Sequence, residues 1–180
     1  MKKTATIILI LVLLLGNTAV ANAGFFGASR VSNPTYWVSS ASPYYSDFTQ
    51  AVNTWNGTLS SISASIRYTF VSSGSASFIP EMTFYGDTGW NGYGEAGPNQ
   101  YSGTLTYASV KLNRTYMDGY TPGKRKAIIT HELGHVLGLS HNTYTSPRTL
   151  MYAGGSSVYY DEWGISSPQS YDVADLVLIY

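Results

Sequence analysis

The sequence predicts one domain of the α+β class, in which short strands surround a helix and a second, histidine-rich helix precedes a mostly irregular C-terminal part. Residues 43–59 carry an apolar stripe with helical spacing, and a second helical pattern covers 121–137. Alternating apolar residues at 64–71, 77–85 and 104–113 indicate strands. Because periodicity does not determine strand order, these patterns predict only a mixture of α and β structure.

The first helix is predicted from a cap and a stripe. Ser42 reads as its cap and Pro43 as its first helical residue. The stripe that we expect to face the core consists of Tyr45, Phe48, Val52 and Trp55. In the strand predicted at 104–113, Ala108, Val110 and Leu112 share one face, while a Gly-, Asn- and Pro-rich loop is expected over 86–103.

Two further helices are predicted in the second half of the chain. Thr121 and Pro122 open a helix that is expected to run to about Leu137. Ser167 and Pro168 open a last helix. Its predicted buried stripe consists of Val173, Leu176, Val177 and Tyr180.

The first 23 residues have the pattern of a secretory signal, so the functional domain is predicted over residues 24–180. The pattern consists of Lys2 and Lys3, an apolar run over 7–15, and Ala21-Asn22-Ala23 as a cleavage site. The apolar run is too short to span a membrane. We therefore expect a secreted, extracellular protein that has no membrane attachment once the signal is removed.

Composition narrows the classes of function. Without Lys2 and Lys3, the chain carries eight basic and ten acidic residues, a net charge of −2, so we expect no nucleic acid partner. The sequence contains no cysteine, so an exported fold has to depend on its core and on metal rather than on disulfides. We expect a monomer.

All three histidines of the chain lie within residues 131–141, whose sequence is HELGHVLGLSH. On a helix, His131 and His135 are four residues apart and project from the same face. Gly138 can take the left-handed conformation that ends a helix, which would bring His141 back from the following loop. This spacing predicts one catalytic zinc ion held by the three imidazoles, with water in the fourth position.

Glu132 is predicted to be the general base of this site. It follows the first ligand and is rotated from it by about 100° on a helix, so it can hold the zinc-bound water rather than bind the metal. As that water attacks a peptide carbonyl, Glu132 takes its proton and later passes it to the leaving amine. If a side chain assists the intermediate, Tyr152, Tyr159 and Tyr160 are the candidates.

The eleven-residue motif resembles that of the metzincin metallopeptidases. Residues 149–152, with Met151 followed directly by Tyr152, are similar to the Met-turn of the matrixin branch. The resemblance implies a metzincin-like catalytic domain, with a twisted, mostly parallel sheet, two main helices and a C-terminal helix. It also implies that Met151 forms an apolar floor beneath the ligands and that Asp172 braces the Met-turn.

The resemblance further implies how a polypeptide substrate is held. Residues 104–113 are similar to the substrate-flanking strand of matrixins, so Ala108 and Val110 are expected beside an extended peptide. Segment 153–163, which includes Tyr159 and Tyr160, would wall a selectivity pocket or simply pack in the core. The scattered acids Asp87, Glu95 and Asp118 leave calcium open without indicating it.

Three functions remain open. A secreted zinc-dependent endopeptidase accounts for Glu132 and for the motif. A secreted zinc-containing module that binds peptides or glycans without cleaving them would account for the 16 tyrosines and for the loop from Trp90 to Tyr101. A zinc hydrolase acting on another amide would use the same chemistry.

Overall fold

The computed structural model describes residues 30–31, 33–96, 104–105 and 108–180, and it confirms the α+β class. The predicted signal at 1–23, the start of the mature domain and Tyr101 lie outside these residues. The main helices are α1 (Tyr45–Ser61), α3 (Pro122–Val136) and α4 (Ser170–Ile179), with a short α2 (Arg114–Met117) before α3. No helix within the described ranges is long and apolar enough to cross a membrane.

In the described part of the chain, seven short strands form three small sheets, and most of their pairings are parallel. They are β1 (Arg30–Val31), β2 (Thr35–Tyr36), β3 (Thr69–Phe70), β4 (Glu81–Thr83), β5 (Gly92–Ala96), β6 (Thr104–Leu105) and β7 (Ala108–Asn113). The parallel pairs are β1 with β6, β2 with β3 and β4 with β7, while β5 pairs antiparallel with β7. The strands predicted at 64–71 and 77–85 are therefore real but much shorter, and β2 and β5 were not predicted.

Helix α1 supplies much of the core. Phe48, Val52 and Trp55 are buried as the stripe predicted, but Tyr45 is 37% exposed and does not belong to it. The helix begins two residues later than expected, with Tyr44 at the cap position. Ser42 lies in the preceding turn, where its carbonyl accepts a hydrogen bond from the Tyr45 N–H.

Helix α3 lies against α1 and the sheet, and every residue from Ala127 to Val136 is buried. Its start matches the prediction, since the Thr121 hydroxyl accepts a hydrogen bond from the Lys124 N–H and Pro122 follows. Two buried side chains from other parts of the chain donate hydrogen bonds to carbonyl groups of α3. The Trp55 indole donates to Thr130 O at 2.7 Å, and the Tyr68 hydroxyl donates to Leu133 O at 2.5 Å.

The predicted substrate-flanking strand is wrong in its position. Strand β7 is the central strand of the order β4-β7-β5, and Ala108 and Val110 are 6% and 1% exposed. Along its whole length β7 is paired with β5, so its backbone on that side is already occupied. The edges of this sheet are β4 and β5, so the resemblance of residues 104–113 to a substrate-flanking strand pointed to a buried, central strand.

Helix α4 holds the segment that contains Leu150 and Met151. It begins at Ser170 rather than at Pro168, and Val177 is 58% exposed, which contradicts its predicted burial. Leu176 is buried as predicted, and Ile179, which was not part of the predicted stripe, is buried as well. The buried Asp172 carboxylate accepts backbone N–H groups from three residues, namely Leu150 at 2.9 Å, Met151 at 3.2 Å and Gln169 at 2.7 Å.

The Asp172 contacts predict a large effect on stability. We expect Asp172→Ala to lower the free energy of unfolding by at least about 2 kcal/mol, because buried backbone donors lose their acceptor. Urea unfolding of the purified protein measures this. The control is Asp161→Ala, which removes an exposed partner of Lys124 and should cost less than about 1 kcal/mol. Equal losses in the two variants would contradict the bracing contact.

The raised pKa of Asp175 predicts that the stability of the protein depends on pH. Burial, and then the nearby Asp172 carboxylate, raise the pKa of Asp175 to about 6 from its ordinary value of 3.8. The folded state thus binds the proton more tightly, so this group's contribution to stability rises as pH falls from about 6 to about 4. At neutral pH its ionised form is destabilising.

Asp175→Asn should therefore stabilise the protein at pH 7.5, by on the order of 1 kcal/mol after allowance for solvent screening. At pH 4 the gain should disappear, because the wild-type carboxyl group is then protonated. Thermal unfolding of both proteins at the two pH values measures the difference. The same gain at both values would show that ionisation is not its cause.

Candidate metal centre and active site

The structure brings the three histidines together on one side of α3. The Nε2 atom of His141 lies 3.1 Å from Nε2 of His131 and 3.2 Å from Nε2 of His135. Nitrogen atoms of all three rings lie within 4.8 Å of one another. His131 and His135 are buried on the helix, whereas His141 is exposed on the loop that follows.

The turn between helix and loop has the conformation that the sequence predicted. Gly138 has a φ of +91°, in the left-handed region that glycine adopts without strain. Its N–H donates to His135 O at 2.9 Å, and the Leu139 N–H donates to Gly134 O at 3.1 Å. This closure reverses the chain directly after α3, so that three residues later His141 faces the other two rings.

Hydrogen bonds on the far side of two rings fix which nitrogen is free. Nδ1 of His131 lies 2.8 Å from Leu150 O, and Nδ1 of His135 lies 2.7 Å from Leu139 O. A carbonyl oxygen only accepts, so each Nδ1 carries the proton and each Nε2 presents a lone pair to His141.

The three rings are also held in their neutral form. Burial lowers the pKa of His131 well below its ordinary value, lowers that of His135 to about 4, and lowers that of His141. Neutral imidazole is the form that binds metal ions. The centre therefore has the protonation state of a metal site near pH 7.

These observations fit a zinc ion. Lone pairs that face one another at 3.1 and 3.2 Å repel unless a cation or a proton lies between them. With Zn–N bonds of about 2.0–2.1 Å, two ligand nitrogens of a tetrahedral site lie about 3.3–3.4 Å apart. The observed spacing is close to this value, and three nitrogen donors leave one position open, as in catalytic sites.

Glu132 lies beside this centre, on the side of α3 that packs against the edge strand β5. It is 7% exposed, and burial raises the pKa of its carboxyl group to about 8, although a hydrogen bond from the Gly94 N–H opposes the rise. A Cβ atom added at Gly92 would lie 2.7 Å from Glu132 Cγ and Oε1, and one added at Gly94 would overlap the Glu132 carbonyl oxygen. Only glycine fits at these two positions.

Met151 packs beneath the helix turn that carries the first two histidines. A Cβ atom added at Gly134 would lie 2.5 Å from Met151 Sδ and 3.1 Å from Trp55, so the methionine occupies the space that a side chain would need. Met151 is 2% exposed. Its N–H and that of Leu150 are held by Asp172, and the Leu150 carbonyl receives the His131 hydrogen bond. A chain of contacts thus runs from α4 to the first histidine.

A cavity of about 210 Å³ opens beside the histidines. His131, Glu132 and His141 line it, together with Ile128 one turn earlier on α3. Two other segments complete it, at 89–92 before and within β5 and at 152–159 after the Met-turn. The site therefore combines the metal centre, the Glu132 carboxylate and a cavity about as large as one amino-acid side chain.

The three tyrosines named from the sequence lie in different places. Tyr159 is 2% exposed, lines the cavity and stacks on the His131 ring with centroids 5.1 Å apart. Burial, and then Glu132, raise the pKa of Tyr159 well above its usual value, so its hydroxyl stays protonated. Tyr152 also lines the cavity. Tyr160 does not; its hydroxyl lies next to Gly123 in the first turn of α3, which contradicts its predicted role in substrate binding.

The acids considered for calcium do not form a common cluster. Asp87 accepts a hydrogen bond from Tyr116, Glu95 accepts one from Tyr93, and Asp118 pairs with Arg114. Among the described residues, the one group with enough metal-binding side chains is that of the three histidines.

Several site residues were missed by sequence reasoning. Gly92 and Gly94 looked like part of a loop, and Asn91 and Ser156, which line the cavity, lie in no recognisable motif. The spacing of the two glycines in an otherwise strand-like stretch was the available signal, since glycine within a strand often marks close backbone approach.

Comparison with known proteins agrees with the geometry. The family model described as dual-action HEIGH metallo-peptidase matches residues 18–157, which is more than half of the chain. His131, His135, His141 and Met151 fall within the match, whereas Tyr159 and Asp172 lie beyond it. In the motif that names the family, Leu133 stands where the name has isoleucine.

Other comparisons add little. The structure titled "Structure of myroilysin" matches with 21% sequence identity and a TM-score of 0.45, over 65% of this chain. The chain spans about half of that protein, 54% of its length. No curated protein matches the chain.

The match over residues 18–157 and the histidine group together establish what the chain is. A group of three imidazoles that fits a zinc ion is what a metallopeptidase requires. The chain belongs to the HEIGH metallopeptidase family.

Proposed function

We propose that this protein is a secreted, matrixin-like endopeptidase that hydrolyses peptide bonds with one zinc ion and with Glu132 as general base. The observation that carries the proposal is the convergence of three Nε2 atoms, with spacings of 3.1 and 3.2 Å, at a cavity that the buried Glu132 carboxylate also lines. A structural metal site needs no free carboxylate beside an open coordination position.

His131, His135 and His141 would hold the metal. A bound zinc ion supplies Lewis-acid chemistry, since it polarises a carbonyl group and makes water acidic enough to lose a proton near pH 7. The Leu150 and Leu139 carbonyls keep two of the rings in the metal-binding tautomer throughout. Asp172 holds the N–H groups of Leu150 and Met151, and Leu150 in turn accepts the hydrogen bond from His131.

Glu132 moves the proton. Burial raises the pKa of Glu132 to about 8, so its carboxylate is a stronger proton acceptor than an exposed one. Glu132 accepts a proton from the attacking water and passes it to the amine that leaves.

The substrate is proposed to lie extended along β5. This strand is one of the two edge strands of its sheet among the described residues, and Gly92, its first residue, lines the cavity. Pairing through main-chain atoms does not require a chain terminus. No Lys or Arg is found among the described residues of the cavity that could hold a terminal carboxylate. Both points favour cleavage within a chain.

Secretion rests on the signal pattern alone. Lys2 and Lys3, the apolar run at 7–15 and Ala21-Asn22-Ala23 support export and cleavage near Gly24. The low content of charged residues and the absence of cysteine agree with an extracellular protein whose fold depends on its core and on metal.

Glu132→Gln tests the chemistry, because the amide keeps the shape of the side chain but cannot take up a proton. We expect hydrolysis of casein by the zinc-loaded protein to fall by at least about 100-fold, with zinc content unchanged at about one per chain. Glu162→Gln, at an exposed site, should keep full activity. His141→Ala should lower zinc content, measured by mass spectrometry of the metal.

Three outcomes would contradict the proposal. Loss of zinc in Glu132→Gln would assign that residue to the metal instead, and unchanged zinc in His141→Ala would remove the third ligand. A folded, zinc-loaded wild-type protein that binds peptides or glycans but cleaves no polypeptide would favour the non-catalytic module.

A further inference from the structure

One part of the cavity wall is built from a polar bridge between two separate segments. The Asn91 side chain, just before β5, donates through Nδ2 to Ser156 Oγ at 3.0 Å. The Tyr120 hydroxyl donates to Asn91 Oδ1 at 3.0 Å and thereby fixes which way the amide points. Asn91 and Ser156 both line the cavity.

This wall has hydrogen-bonding capacity that the protein does not use. Ser156 is 3% exposed, and among the described residues none accepts the proton of its hydroxyl group. Tyr159 is 2% exposed and lines the same cavity, and in the described part of the chain its hydroxyl has no hydrogen-bond partner. An occupant that displaces water from these hydroxyl groups has to supply their hydrogen-bond partners itself, so one that does so is favoured.

The rest of the cavity sets the remaining properties of that occupant. Ile128 and Trp90 contribute apolar surface. Glu132 is the one charged side chain among the described lining residues, and the proposed function already assigns it to proton transfer beside the metal centre. A volume of about 210 Å³ lies below the range of about 300–1,000 Å³ that is usual for whole small-molecule ligands.

We propose that this cavity receives one substrate side chain next to the scissile bond, and that Ser156, Asn91 and Tyr159 select a side chain with an apolar stem and an uncharged hydrogen-bonding tip. The inference rests on the proposed peptidase function and names its specificity. Tyrosine and glutamine have this character.

Aliphatic and acidic side chains fit this cavity less well. An aliphatic tip would leave the Ser156 and Tyr159 hydroxyl groups buried without partners. An acidic tip would find no Lys or Arg among the described lining residues and would lie in one small cavity with Glu132. A site that is built to hydrogen-bond a polar group rejects the analogue lacking it far more strongly than an apolar pocket distinguishes two apolar side chains.

The test compares matched peptides. Cleavage sites are first located by mass spectrometry of a protein digest made with the zinc-loaded wild-type enzyme. Peptides are then synthesised around one site with Tyr or Phe, and with Gln or Met, at each position flanking the scissile bond. At one of these positions we expect kcat/KM to favour Tyr over Phe and Gln over Met by at least about tenfold.

Two variants assign the preference to this wall. Ser156→Ala should reduce both ratios to within about threefold, while Ser157→Ala, at an exposed neighbour that does not line the cavity, should keep them. If Ser156→Ala fails to fold, Tyr159→Phe serves instead, because it removes a hydroxyl but keeps the ring on His131.

Each outcome is decisive. Cleavage with Phe and Met equal to or better than Tyr and Gln at both positions would overturn this inference and leave the proposed function standing. A polar preference that persists in Ser156→Ala and in Tyr159→Phe would overturn the assignment to these residues. No cleavage of any peptide would overturn the proposed function, and the specificity inference with it.

Discussion

The whole site depends on two hydrogen bonds that turn histidine rings. Leu150 O and Leu139 O each accept a hydrogen bond from the Nδ1–H group of one ring. The Nε2 atoms of His131 and His135 therefore present their lone pairs to His141. One of these carbonyls belongs to the Met-turn, and the other belongs to the reversal after Gly138. The fold therefore has to keep α3, its C-terminal turn and the Met-turn in a fixed arrangement. Asp172 contributes to this by holding the Met-turn from α4.

Close packing around α3 is the second constraint. The edge strand β5 lies directly against Glu132, and Met151 lies directly against Gly134, at distances that no side chain at Gly92, Gly94 or Gly134 would permit. These glycines weaken helix and strand locally, at a cost of roughly 0.5–1 kcal/mol each. In return the base, the ligands and the apolar floor come within contact of one another. Rigidity of this kind suits catalysis, since reacting groups have to be held within fractions of an ångström.

The site was more predictable than the sheet. The spacing of His131, His135, Gly138 and His141 encodes helix geometry and a helix end, which are local properties that a sequence displays directly. The position of β7 between β4 and β5 depends on pairings between distant segments, and no local pattern encodes which strand lies at an edge. The resemblance at 104–113 therefore predicts substrate contacts at Ala108 and Val110, although both are core residues. Tyr160 failed for a related reason, because the π-helical turn Ser157–Glu162 directs it toward α3 while Tyr159 faces the cavity.

The central claim is that three imidazoles of one chain hold a single metal ion with one position open. X-ray absorption at the zinc edge of the zinc-loaded protein tests it most directly. The arrangement of the Nε2 atoms predicts three imidazole nitrogens at about 2.0–2.1 Å and one further light ligand. A spectrum that requires only two imidazoles, with carboxylate oxygen in place of the third, would contradict it.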